Sequence, residues 1–119
     1  MVKIGCDPEF VLLDRGKPVE TAGILKAIPA RHPGLGKENS HVFELRPEPS
    51  TDPRRVVGSI KRLLSILATV PAARDYEWRA GSYVAGCPIG GHIHFGVPFC
   101  EDFTTALDTS DWTATVTDT

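Results

Sequence analysis

Three short segments of this chain place ionisable side chains two residues apart: Asp7-Pro8-Glu9, Glu44-Leu45-Arg46 and His92-Ile93-His94. In an extended strand that spacing puts both side chains on one face, about 6.5 to 7 Å apart. The residues between and beside them, Cys6, Phe10, Leu12, Phe43, Leu45, Ile93 and Phe95, then turn to the other face. The pattern predicts a sheet with an apolar face and a charged floor.

A helix is available to cover the apolar face. Asp52 suits an N-cap and Pro53 the first helical position. Val56, Ile60, Leu63, Leu64 and Leu67 fall on one stripe, while Arg54, Arg55, Lys61 and Arg62 lie elsewhere, and Pro71 closes the segment. This predicts a helix from Pro53 to about Ala68, packed on the sheet. Residues 2–13 read as a strand interrupted at Pro8, which removes a ladder donor and predicts an edge position or a bulge. Asp14-Arg15-Gly16-Lys17 reads as a tight turn into a return strand at Pro18-Val19-Glu20. Residues 29–41 hold two prolines and two glycines and are expected to form a loop of functional length. Val42 to Arg46 is a short strand ended by Pro47, Trp78 to Val84 another, and Gly90 to Val97 a third alternation. Hairpin, strand, helix and strands in that order predict an α+β fold with an antiparallel sheet.

Composition excludes several classes. With 41% hydrophobic and 24% charged residues in 119, the chain can bury one core, and residues 1–100 read as a single domain. Residues 101–119, rich in Thr and Asp, are expected to be a poorly ordered tail. No apolar run reaches the 18 or so residues of a membrane span, and the start has no secretory pattern, so the expected address is the cytoplasm. Residues 1–79 carry 13 basic and 10 acidic side chains, and residues 80–119 carry five acidic and no basic ones, with no basic stripe for nucleic acid. Cys6, Cys87 and Cys100 show no CxxC spacing, which favours reduced thiols, and the first and second sit in apolar segments that read as core.

If the three strands are neighbours, the floor collects Asp7, Glu9, Glu44, Arg46, His92 and His94. Such a patch repels itself unless a cation sits within it. Magnesium fits the carboxylates and recruits phosphate oxygens, whereas zinc would take the histidines with one carboxylate. Arg46 suits an anionic group, because its planar fork grips carboxylate or phosphate by two parallel hydrogen bonds. Singly, each pair is commonplace on a solvated face; their coincidence carries the functional reading. There is no GxxxxGK[ST] phosphate loop, and Gly34-Leu35-Gly36 lacks the strand and helix of a dinucleotide fingerprint.

Gly5-Cys6-Asp7-Pro8-Glu9-Phe10, Glu44-Leu45-Arg46-Pro47, Gly81-Ser82 and Gly90-Gly91-His92-Ile93-His94-Phe95-Gly96 resemble, in order and spacing, the motifs of the phage-encoded carboxylate-amine ligases. That family is related to glutamate-cysteine ligase and to the glutamine synthetase fold. The resemblance spans roughly residues 4–97. It implies an ATP-dependent ligase that activates an amino-acid or peptide carboxylate as an acyl phosphate, which an acceptor amine then attacks. It further implies magnesium on Asp7, Glu9 and Glu44, nucleotide or metal contacts for His92 and His94, an anion grip for Arg46, and catalytic roles for Arg46 and His94. Family members continue beyond the HIHFG segment, so the chain reads as truncated, with self-association into a homo-oligomer as one way to close its sheet. Two alternatives stand beside this reading: a zinc-dependent hydrolase built on His92 and His94, and a non-catalytic ligand-binding remnant.

Overall fold

The computed structural model describes residues 2–29 and 32–96. In chain order the elements are β1 (Lys3–Cys6), β2 (Glu9–Asp14), β3 (Lys17–Pro18), α1 (Thr21–Lys26), β4 (Leu35–Lys37), β5 (Phe43–Leu45), α2 (Pro53–Leu67), α3 (Pro71–Asp75), β6 (Glu77–Arg79), β7 (Tyr83–Val84), β8 (Cys87–Pro88) and β9 (Ile93–Gly96). The fold is α+β, and its strand pairings are antiparallel.

Pro8 divides the first apolar run between two sheets. β1 pairs with β9, while β2 joins a five-stranded sheet ordered β3-β2-β5-β4, with β6 also on β2. Proline was expected at an edge or a bulge. It lies instead at the switch point, where its missing donor costs no ladder bond and its carbonyl accepts from the Leu45 amide at 2.9 Å. The turn at Arg15-Gly16 has positive φ at both central residues (52° and 81°), the backbone that matches the twist of a two-residue hairpin. Asp14 accordingly pairs with Lys17 and Leu13 with Pro18.

The helix α2 starts as its sequence predicts. The Asp52 carboxylate accepts from the Arg54 amide at 3.0 Å, and this bond, with the Arg54 side chain beside it, holds the carboxyl below the ordinary aspartate range. Leu63 and Leu67 of its stripe enter the main core with Phe10, Leu12, Phe43 and Leu45. Each fully buried side chain of this kind contributes about 1.5–3 kcal/mol. Phe10 stacks between Phe43 (5.4 Å) and Trp78 (5.7 Å), and the Trp78 indole donates to the Ala73 carbonyl at 2.7 Å.

Further expectations are corrected. First, the second face of the sheet is charged only at the Glu9 end of β2; further along it, Val11 and Leu13 are buried with Val42 and Ile89. Second, Ile93 and Phe95 stay 47% and 36% exposed, because β9 joins β1 in a separate sheet and the space against α2 is filled from β2 and β5. Third, Trp78 to Val84 is two strands parted at Gly81, the second of which turns back through Ala85-Gly86 into β8. Fourth, the expected loop of 29–41 contains β4, and Cys6 and Cys87 are half-buried free thiols rather than core. Burial, and then the charge of Asp7, pushes the Cys6 thiol up, so it stays protonated. Helices α1 and α3 have no counterpart in the expectations above. The tail of 101–119 and Cys100 lie outside the described residues. Among the described residues no helix is long and apolar enough to cross a membrane.

Candidate functional site

The ladder between β2 and β5 sets Glu9 directly opposite Glu44 and Phe10 opposite Phe43. Since neighbours along a strand point to opposite faces, the two phenylalanines enter the core and the two glutamates leave by the other side. On the far side of β5, β4 brings Gly36 opposite Glu44 and Lys37 opposite Phe43. Glu38, next in the chain, donates its amide to the Val42 carbonyl at 2.9 Å and shares a face with Gly36. The tight loop behind it is fixed by Asn39, whose side-chain oxygen accepts from the amides of His41 and Val42 at 3.0 and 3.1 Å. Thr21, fully buried at the start of α1, pins that loop by donating its hydroxyl to the Asn39 carbonyl at 3.1 Å.

Glu9, Glu38 and Glu44 consequently present carboxylate oxygens that all lie within 4.8 Å of one another. Glu44 is the most enclosed, its side chain 11% exposed, and its Oε1 accepts from Arg46 Nε at 2.9 Å. One guanidinium does not balance three carboxylates. Glu38 bears the imbalance: a hydrogen bond to the Glu44 carboxyl, and then the charges of Glu9 and Glu44, push its pKa above the ordinary glutamate range. A divalent cation would relieve the same repulsion that the proton relieves. The donor set is all carboxylate oxygen, which suits a hard ion such as magnesium.

Asp7 is placed differently. It lies just before the switch at Pro8, and its carboxylate faces the segment entering β9. Its Oδ1 accepts from the His92 amide at 2.5 Å, while His92 Nδ1 lies 3.1 and 3.2 Å from its two oxygens. An ionised carboxylate only accepts, so the Nδ1 that faces it carries a proton, and in the neutral ring Nε2 is the acceptor. His94 Nε2 lies 3.5 Å from Asp7 Oδ2, and the two imidazole centroids are 5.9 Å apart. Glu9 makes a parallel contact, its Oε2 accepting from the Gly90 amide at 2.6 Å. The Asp7 and Glu9 amides donate back to the carbonyls of His92 (3.1 Å) and Gly90 (3.2 Å). Gly91 lies between, at φ +156°, where a Cβ would come 3.3 Å from the Asp7 carbonyl oxygen and Pro8 Cα.

The six residues singled out in the sequence thus form two linked groups. Glu9, Glu44 and Arg46 stand together at the ladder, and Asp7, His92 and His94 stand together beside β1. A cleft of about 520 Å³ joins them, with Asp7, Glu44, Arg46 and His94 all on its wall. Asp7 is not among the three carboxylates that converge, and Glu38 was not anticipated. The alternation Gly36-Lys37-Glu38 was the available signal, submerged in a segment whose prolines and glycines read as loop.

A family model described as Phage phiEco32-like COOH.NH2 ligase-type 2 matches residues 4–111. No curated protein and no solved structure matches the chain.

Proposed function

The chain belongs to the phage phiEco32-like COOH.NH2 ligase-type 2 family, and from that membership we propose that it joins a carboxylate to an amine with ATP as phosphoryl donor and magnesium as cofactor. The observation that supports this most is the convergence of Glu9, Glu38 and Glu44 beside Arg46. These three glutamates would hold magnesium, with Asp7 at their edge.

In the proposed reaction an oxygen of the substrate carboxylate bonds to the γ-phosphorus of ATP as the bond to ADP breaks. The amine nitrogen then bonds to the acyl carbon as phosphate leaves, and the nitrogen loses a proton. Such chemistry asks the protein chiefly for positioning and charge neutralisation, so it requires no nucleophilic side chain. Bound magnesium supplies neutralisation at the phosphate oxygens. Arg46, fixed at Nε by Glu44, orients an anionic group. His92, whose Nδ1–H is held by Asp7, keeps Nε2 as a proton acceptor, and His94 borders the same cleft. The substrate is an amino-acid or peptide carboxylate, and the acceptor is a primary amine.

Calorimetric titration of ATP into the chain, with and without magnesium, tests the binding half. Trapping with hydroxylamine, which turns an acyl phosphate into a hydroxamate, tests the chemistry. Magnesium-dependent nucleotide binding and hydroxamate formed from a supplied amino acid are the expected results. A folded chain that binds no nucleotide in the presence of magnesium overturns the proposal.

A further inference from the structure

A second cleft, of about 480 Å³, opens on the other side of Arg46 from the first. The two share that one residue and no other lining side chain. The first is mixed in charge and the second purely basic. The first sets the carboxylates of Asp7 and Glu44 beside Lys3, Arg46 and His94, whereas the second is lined by Lys26, Lys37 and Arg46, and no carboxylate is among its described lining residues. The rest of its wall is His32, Pro33 and Gly36 together with the half-buried aliphatic side chains Leu25, Ile28 and Leu35.

Three separate elements deliver the three cations. Lys26 is in the last turn of α1, Lys37 ends β4, and Arg46 follows β5. The guanidinium reaches the cleft because β4 has glycine at position 36. A Cβ there would come 2.9 Å from Arg46 Nη1 and 3.1 Å from Cζ. The guanidinium therefore lies flat over the Gly36 backbone, with Nε turned to Glu44 and the terminal nitrogens toward the β4 side. A lysine on an edge strand commonly serves only to keep other strands away. Here it stands with two further cations around one apolar hollow, which an edge guard does not require.

We propose that this cleft binds the carboxylate-bearing substrate: a small organic anion whose carboxylate is gripped by Lys26, Lys37 and Arg46 and whose aliphatic body lies on Leu25, Ile28 and Leu35. The inference rests on the ligase reading given above and deepens it. Arg46 is the hinge between the two clefts, so an anion held by its terminal nitrogens lies one side chain away from the carboxylates at Glu44. An acyl donor must meet both a cation and the phosphoryl group, and this arrangement supplies the first on one side of Arg46 and a seat for the second on the other. An aliphatic floor suits such a donor and has no use for a bare polyphosphate.

The test uses ¹⁵N-labelled chain with L-glutamate and inorganic phosphate as probes, and magnesium ATP titrated separately. Glutamate should shift the Lys26, Gly36 and Lys37 amides. Lys26→Gln and Lys37→Gln, both exposed changes that leave the core untouched, should each weaken glutamate about tenfold, the loss of one charge-assisted hydrogen bond. Magnesium ATP affinity should be unchanged in both. No shift of these amides by glutamate overturns the inference, as does glutamate binding indifferent to both substitutions. If phosphate or magnesium ATP moves the same amides and glutamate does not, the cleft is a phosphate seat and the assignment to the carboxylate substrate falls. Failure of the underlying ligase reading looks different: glutamate binding sensitive to Lys37→Gln persists, but magnesium ATP is not bound at all.

Discussion

Glu9 and Glu44 face each other as direct partners across two antiparallel strands, a position where like charges ordinarily destabilise a sheet. Arg46 offsets part of that cost on one side, and Glu38 adds to it from the other. A pairing of this kind makes sense where a cation is to be held.

Glu9→Gln and Glu44→Gln should each weaken magnesium binding at least about tenfold, because both charge and ligand number set the affinity of such a site. Neither side chain supports the core, so circular dichroism should show the native fold. Retained magnesium affinity in both variants, measured calorimetrically, would remove the three glutamates from the proposed site.

Acid should stabilise the metal-free chain in one window. Glu38 has a folded-state pKa above the ordinary glutamate value, so between the two values the native state binds more protons than the unfolded state. Stability therefore falls as pH rises through that window and levels off above it. Saturating magnesium, or Glu38→Gln, should flatten the slope. Thermal melts across a pH series in chelator and in magnesium check this. Asp52 acts in the opposite sense at lower pH: its stabilising cap is present above the ordinary aspartate value and is lost as pH falls through its depressed folded value.

Ala85→Gly should stabilise the chain by about 1 kcal/mol. Ala85 sits at φ 49° in the turn between β7 and β8, where a Cβ crowds the following carbonyl. The denaturant midpoint should rise with an unchanged slope. A fall would show that the flexibility added to the unfolded chain outweighs the strain relieved.

Leu67→Ala should cost about 2–5 kcal/mol, since Leu67 is completely buried and α2 cannot collapse onto the space left behind. That is a large part of the roughly 5–15 kcal/mol that holds a domain together. Equilibrium unfolding measures it, and a loss below about 1 kcal/mol would mean that the core repacks freely.

The helix α2 was legible to within a residue at its end because its determinants are local: Asp52 caps it, Pro53 opens it, and its stripe needs only the chain's own period. The Arg15-Gly16 turn was legible for the same reason. What alternation could not reveal was which strand pairs with which. Asp7-Pro8-Glu9 reads as one strand with two carboxylates on a face, yet Asp7 lies past the end of β1, outside any strand, while Glu9 opens β2 in the other sheet. Ile93 and Phe95 alternate like core residues, but burial depends on a sheet that β9 does not join. Glu38 became a member of the site only through β4, whose pairing is set by Phe43, Glu44 and Leu45 rather than by its own composition.

The contacts of Asp7 and Glu9 with residues 90–92 tie together positions 85 and 81 apart in the chain. Contacts of such long range close late in folding, after local turns and helices have formed. The Glu9–Glu44 pair is set by the ladder of β2 and β5, whereas the carboxylate of Asp7 is oriented by the long-range contact. His92 leaves the ribosome after α2 and the first hairpin, so Asp7 waits for the partner that orients it. The half of the site built on Asp7 therefore depends on His92 being in place.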